Sequence, residues 1–119
     1  MKIKFSLIIA TCLIMLFSCS KSSDSGTEIG TTISCSGVTS TFAANVSTLI
    51  QTTCATSSGC HASGSSNSGG TLINFTQISN KKITIRAQVL NNIMPQGSTL
   101  TTAQKQTIVC WIDAGALNN

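Results

Sequence analysis

The chain has no tyrosine, one proline, one histidine and only three acidic residues. Asp24 and Glu28 fall in a stretch rich in serine, threonine and glycine, so Asp113 is the only carboxylate beyond it. Catalysis by a pair of carboxylates is therefore excluded within this chain. A blue-copper site is excluded as well, because it needs two histidines and the sequence beyond the first residues offers only His61. We expect a protein that is not an enzyme.

Charge is also scarce, since charged residues make up 8% of the sequence. Beyond residue 18, five basic residues against three acidic residues leave a net charge of +2. That excess is too small to indicate a nucleic acid or a strongly acidic partner.

Two lysines precede an uncharged, mostly apolar run at residues 5–17. The run is too short to span a bilayer, and its order of charge then apolar residues is typical of a secretory signal peptide. It ends in Leu-Phe-Ser-Cys at residues 16–19, which resembles the bacterial lipobox. We expect cleavage after residue 18 and a lipid, such as palmitate, on Cys19. The alternative is an ordinary signal peptide with an unrelated cysteine.

The segment at 19–34 is rich in serine, threonine and glycine and has no apolar periodicity, which is typical of a flexible tether. We therefore predict three parts: a signal peptide at 1–18, a lipidated tether at 19–34 and a domain at 35–119. The lipid on Cys19 would hold the domain at a membrane of the bacterial cell envelope, with the outer membrane expected ahead of the inner one.

The domain is predicted to be mainly α-helical, with three or so helices and polar loops. Apolar residues at helical spacing indicate helices at about 42–53, 79–92 and 101–115. The third helix has the clearest start, because Thr101 and Gln104 form a capping-box pattern. Its apolar stripe consists of Ile108, Trp111, Ile112 and Gly115. The stripe of the second helix consists of Ile83, Ala87, Leu90 and Met94.

Only one histidine and one methionine lie beyond the predicted signal peptide. His61 directly follows Cys60, Cys54 stands shortly before, and Met94 precedes Pro95. Two cysteines, a histidine and a distant methionine follow one another in this order in c-type haem sites. In such sites the thiols attach to the haem vinyl groups, and imidazole and thioether bind opposite faces of the iron.

From about residue 50 onward the chain resembles the small c-type cytochrome domains of bacterial lipoproteins. The resemblance rests on Gly-Cys-His at 59–61, Met-Pro at 94–95, Leu-Thr at 100–101 and Trp-Ile-x-x-Gly-Ala at 111–116. It implies a cytochrome c-like fold and one covalent haem c per chain. It also implies electron transfer with a redox partner protein. The implied site residues are Cys54 and Cys60 for attachment, and His61 and Met94 as axial iron ligands.

The spacing of the two cysteines departs from the family pattern. Five residues separate Cys54 from Cys60, whereas an attachment motif normally has two, so the extra residues would have to loop out. A Cys54–Cys60 disulfide is the alternative, in a structural or binding lipoprotein without haem. Zinc held by these cysteines and His61 would need a fourth ligand.

The remaining cysteines, Cys35 and Cys110, are expected to form a disulfide that ties the end of the tether to the third helix. The basic residues Lys81, Lys82 and Arg86 are expected to form a solvated helix face, with Arg86 as a candidate partner for a haem carboxylate.

Overall fold

The structure is a computed structural model that describes residues 32–119. Within this range the chain forms four α-helices and no strands. They are α1 (Ser47–Thr53), α2 (Phe75–Asn80), α3 (Lys82–Leu90) and α4 (Thr102–Asp113), and a π-helical turn at Phe42–Val46 leads directly into α1. The prediction of a small, mainly α-helical domain is confirmed.

The predicted signal peptide at 1–18, the lipid on Cys19 and nearly all of the tether lie outside the described residues. Between residues 32 and 119, every helix is too short or too polar to cross a bilayer.

Helix α4 begins and ends where local chemistry predicts. The Thr101 hydroxyl accepts a hydrogen bond from the Gln104 amide, and the Gln104 side chain accepts one from the Thr101 amide. This capping box satisfies two backbone donors that a helix start leaves unpaired. At the other end Gly115 has φ +105°, a conformation that L side chains rarely adopt.

The core is built on the buried face of α4. Ile108, Trp111 and Ile112 are buried as the stripe predicted, and Trp111 keeps only 1% of its surface exposed. Phe42 and Phe75 pack against Trp111, with ring centroids 5.6 and 6.5 Å from the indole. Three aromatic rings from three separate segments therefore form the centre of the domain.

The second predicted helix is two helices in the structure. The first of them, α2, starts at Phe75 because the Asn74 side chain accepts a hydrogen bond from the Gln77 amide. The chain then leaves helical geometry at Lys81, which has φ −103° and ψ 6°, before α3 begins. The break lies inside the range for which a single helix was predicted.

The predicted apolar stripe on this segment is wrong in part. Ile83 is 71% exposed and Ala87 is exposed, whereas Val89 is buried and Ile85 packs against the core. Several apolar residues on a short helix allow more than one choice of buried face, and the contact with α4 selects the face of Val89.

A disulfide joins Cys35 to Cys110, as expected, and ties the start of the domain to α4. Hydrogen bonds reinforce the connection: the Gln106 side chain donates to the Ser34 carbonyl, and the Ser40 hydroxyl donates to the Thr107 carbonyl. The segment before the π-helical turn is thus attached along one side of α4.

Candidate functional site

A cavity of about 880 Å³ lies beside α3, within the part of the chain that the structure describes. Its wall combines the end of α1, the loop that follows, one face of α3 and the segment from Met94 to Leu100. All four residues predicted from the sequence, Cys54, Cys60, His61 and Met94, line this cavity. Its volume is in the range of cofactor and ligand pockets.

The chain between Cys54 and His61 closes on itself. The His61 amide donates to the Cys54 carbonyl at 3.1 Å. In an attachment motif with two residues between the cysteines, the histidine is the fourth residue after the first cysteine, which is the spacing of an α-helical hydrogen bond. The same hydrogen bond is present here although His61 is the seventh residue after Cys54. The three additional residues therefore form a small excursion, a loop between the two bonded residues.

Polar side chains hold this excursion in place. The Asn67 side-chain amide donates to the Gly59 and Cys60 carbonyls at 2.6 and 2.8 Å. The Ser65 hydroxyl donates to the Cys60 carbonyl as well. A loop of serine, asparagine and glycine can therefore be ordered without apolar burial, because short side chains satisfy its backbone groups.

The imidazole of His61 is held by the other end of the same loop. Its Nδ1 lies 2.7 Å from the Gly70 carbonyl oxygen, which can only accept, so Nδ1 carries the proton. In the neutral imidazole, Nε2 is then the nitrogen with a free lone pair, the one able to bind a metal. This is the orientation that a backbone carbonyl commonly imposes on a ligating histidine.

Gly69 lies against the imidazole ring of His61. A Cβ atom at position 69 would lie 2.6 Å from His61 Cε1, which is closer than two carbon atoms approach. The absence of a side chain at Gly69 is therefore a requirement of the His61 position. Neither Gly69 nor Gly70 was predicted as a site residue, since a Gly-Gly pair in a polar loop looks like an ordinary flexible link.

The two thiols of the loop are unpaired within the described residues, and their surroundings differ. Burial raises the pKa of Cys54, and the neighbouring Thr53 hydroxyl and the charge of Cys60 have smaller effects. Hydrogen bonds from Ser57 and Thr56 lower the pKa of the exposed Cys60. Cys60 is thus the more readily ionised thiol.

Met94 follows the end of α3. The backbone amides of Ile93 and Met94 both donate to the Gln88 carbonyl, at 2.9 and 3.3 Å. These bonds turn the chain at the end of the helix and place Met94 at the cavity wall beside Val89, a buried residue of α3.

One face of α3 and its preceding residue form a side of the cavity. The residues on this face recur at intervals of three and four, and they are Lys81, Thr84, Ile85, Gln88 and Val89. Among residues 32–119, Lys81 is the only charged residue that lines the cavity. No described residue supplies a carboxylate to the wall.

Arg86 points elsewhere. Its guanidinium donates two hydrogen bonds to Asp113 at 2.7 and 3.1 Å, and Arg86 does not line the cavity. The described structure therefore gives no support to the expectation that Arg86 meets a carboxylate of the cofactor, which stays a prediction. Lys81, which was expected on a solvated face, is exposed and also lines the cavity.

Among residues 32–119, no group of three or more histidine, cysteine, aspartate or glutamate side chains is arranged to hold a metal ion. The described chain therefore offers a cavity with a histidine, a methionine and two thiols, but no cluster of protein ligands around one point. Comparisons with known protein families, curated proteins and solved structures find no match to this chain.

Proposed function

We propose that this protein is a membrane-tethered monohaem c-type cytochrome that transfers electrons. The observation that carries the proposal is the convergence of Cys54, Cys60, His61 and Met94 on one cavity. These are residues from two segments of the chain, and together they supply every side chain that a c-type haem site needs.

The residues at the cavity fit the chemistry of haem attachment. Each thiol adds across one vinyl double bond, with sulfur bonding to one carbon and the thiol hydrogen to the other, so no electrons are gained or lost. Cys54 and Cys60 are unpaired and able to react in this way. The hydrogen bond from His61 to the Cys54 carbonyl supports the proposal, because it compensates for the longer spacing of the cysteines.

A haem held by these residues would supply reversible one-electron chemistry. His61 presents Nε2 because Gly70 holds the proton on Nδ1, and Met94 provides a soft thioether. His61 and Met94 would together hold the iron with no position left for a substrate, and a His/Met pair would raise its reduction potential. This ligand set suits electron transfer rather than catalysis, so we propose no enzymatic activity.

Apolar residues of the cavity would exclude water from the ring. Ile50, Leu72, Val89 and Leu100 line the cavity and are buried. Lys81 stands at the wall as the one cationic group, suited to a carboxylate of the cofactor. The lipid on Cys19 would keep this electron carrier at the cell envelope, where it would meet a redox partner protein.

The experiment that tests the proposal is export of the full chain in a cell with haem maturation machinery, followed by absorption spectroscopy and peptide mass analysis. We expect a Soret band and one intact haem added to the peptide that contains residues 54–61. A colourless chain under these conditions would overturn the proposal.

Alkylation of the cysteines separates the possible states of Cys54 and Cys60. Thioethers block labelling both before and after reduction, which is the expected result. A disulfide allows labelling only after reduction, and free thiols allow labelling at once; either outcome contradicts haem attachment at these positions. Cys35 and Cys110 provide an internal control, because their disulfide should label only after reduction.

The role of Met94 is tested by Met94→Ala, which should abolish the weak long-wavelength absorption band of sulfur bound to iron. Ile93→Ala is the matched control, since Ile93 is adjacent and exposed. An unchanged band in Met94→Ala would remove Met94 from the site.

A disulfide-stapled structural or binding lipoprotein without haem is the second candidate. One observation favours it: the hydrogen bond from the His61 amide to the Cys54 carbonyl brings the residue next to Cys60 back to Cys54, and both cysteines line the same cavity. This candidate predicts a haem-free chain in which all four cysteines of the domain are oxidised, four hydrogens lighter than the reduced chain.

A further inference from the structure

Lys105 is the one buried charged side chain in the described part of the molecule, with 8% of its surface exposed. It lies in the first turns of α4, and its ammonium group donates a hydrogen bond to the side-chain oxygen of Asn92. Removing an ammonium group from water is costly unless a polar partner receives it. The bond to Asn92 is thus a condition for Lys105 to occupy this position.

Asn92 is placed where it can control Met94. It has φ +56° and stands just beyond the end of α3, in the left-handed conformation that often ends a helix. Met94 is only two residues further along the chain. The backbone amides of Asn92, Ile93 and Met94 all donate to carbonyls of α3, whereas the Lys105 bond joins the segment to a second helix, α4.

Helix α4, which carries Lys105, is held in place by several independent contacts. It has a capping box at its start, a disulfide at Cys110 and a buried face around Trp111. Gln104, the neighbour of Lys105, lines the cavity. The bond from Lys105 therefore fixes the position of the Met94 segment relative to α4, which is itself held in place by several contacts.

We propose that Lys105 is a positioning residue that holds Met94 at the cavity through its hydrogen bond to Asn92. The proposal rests on the proposed function, in that the group being positioned is the thioether ligand of the haem. The bond itself exists without haem, so it can be tested on the haem-free chain as well.

Two substitutions remove the bond with little other change. Lys105→Met keeps an unbranched apolar side chain of similar length and removes the ammonium group. Asn92→Gly keeps the left-handed backbone conformation and removes the side-chain oxygen. Lys82→Met is the control, because Lys82 is a lysine of α3 that neither lines the cavity nor contacts Asn92.

The first test is amide hydrogen exchange in the haem-free full chain. We expect the Ile93 and Met94 amides to exchange about tenfold faster or more in Lys105→Met and Asn92→Gly, the effect of losing a hydrogen bond to a charged group. Amides in the centre of α4, such as that of Val109, should not change. Uniform acceleration across the domain, or none at positions 93 and 94, would overturn the proposal.

The second test is the sulfur-to-iron absorption band of the haem-loaded chain. We expect Lys105→Met and Asn92→Gly each to weaken it, and the double variant to weaken it no further, because both remove the same bond. Asn92→Asp, which keeps an oxygen acceptor, should retain the band. Lys82→Met should leave the band intact.

The outcomes distinguish this inference from the proposed function. If no variant, including the unaltered chain, takes up haem, the proposed function fails and hydrogen exchange alone decides the role of Lys105. If haem is bound and Met94→Ala removes the band while Lys105→Met and Asn92→Gly do not, the positioning role fails and the cytochrome proposal stands.

Discussion

Helix α4 and the loop from Ala55 to Gly70 are ordered by different means. The helix buries apolar side chains, is capped at its start and is attached by a disulfide. The loop has little apolar surface and is held by hydrogen bonds of Asn67, Ser65 and His61 to backbone carbonyls. Damage to the helix should therefore affect the whole domain, and damage to the loop should affect mainly the cavity.

The largest effect is expected for Trp111→Ala. Loss of a fully buried indole that contacts two phenylalanines should lower the free energy of unfolding by about 3–5 kcal/mol. Chemical denaturation of the haem-free chain measures this change. Ile83→Ala is the control, and because Ile83 is exposed it should cost about 0.5 kcal/mol or less. Similar costs for both variants would contradict the assignment of α4 as the centre of stability.

Gly69→Ala should damage the site more selectively. The added methyl group would collide with His61, so we expect the imidazole to move and the free energy of unfolding to fall by about 1–3 kcal/mol. Chemical shifts of the His61 ring should change while those of the Trp111 ring do not. Gly59→Ala is the matched control, because its Cβ would be 3.6 Å from the nearest atom. Unchanged His61 signals would show that the space between position 69 and the imidazole can accept a methyl group.

The two thiols of the haem-free, reduced chain should react at different rates and pH. A lowered pKa gives Cys60 more thiolate at neutral pH, and a raised pKa gives Cys54 less, so iodoacetamide should alkylate Cys60 several-fold faster. As pH rises, the Cys60 rate should reach its plateau first. Unfolding in denaturant should make the two rates alike, and an equal rate in the folded chain would contradict the difference in burial.

The smallest effect is expected for Lys81→Gln. Because Lys81 is exposed, loss of its ammonium should weaken haemin binding to the haem-free chain by about two- to fivefold. The dimethyl ester of haemin, which lacks free carboxylates, should bind both chains equally. Lys82→Gln is the control and should bind haemin as the unaltered chain does. Equal binding by all three chains would remove Lys81 from the site.

Features that depend on residues within one turn of each other were predictable. The capping box of α4 and the helix end near Gly115 agree with the prediction, as do Ile108, Trp111 and Ile112 of the buried stripe, although Gly115 itself is exposed. The order of Cys54, Cys60, His61 and Met94 also pointed to residues that line one cavity. A missed local signal was Asn74 and Gln77, a cap that would have shown the true start of α2.

Features that depend on which faces meet were not predictable. The buried face of α3 was assigned wrongly in part, because Ile83 and Ile85 are equally apolar and packing against α4 chooses between them. The partner of Arg86 was missed for the same reason, since Asp113 is 27 residues away in the chain. Nothing in the sequence near Lys105 marks it as buried, because its burial and its bond to Asn92 depend on how the segments pack.

The same division applies to the site. Neighbouring residues specify the chemistry that is available, namely two thiols, one imidazole and one thioether, because side-chain types are set by the sequence directly. Whether these groups share one cavity depends on the chain closing between Cys54 and His61 and on the packing of α3 against α4. Both are contacts between segments, and their free energies depend on the whole fold rather than on any short stretch of residues.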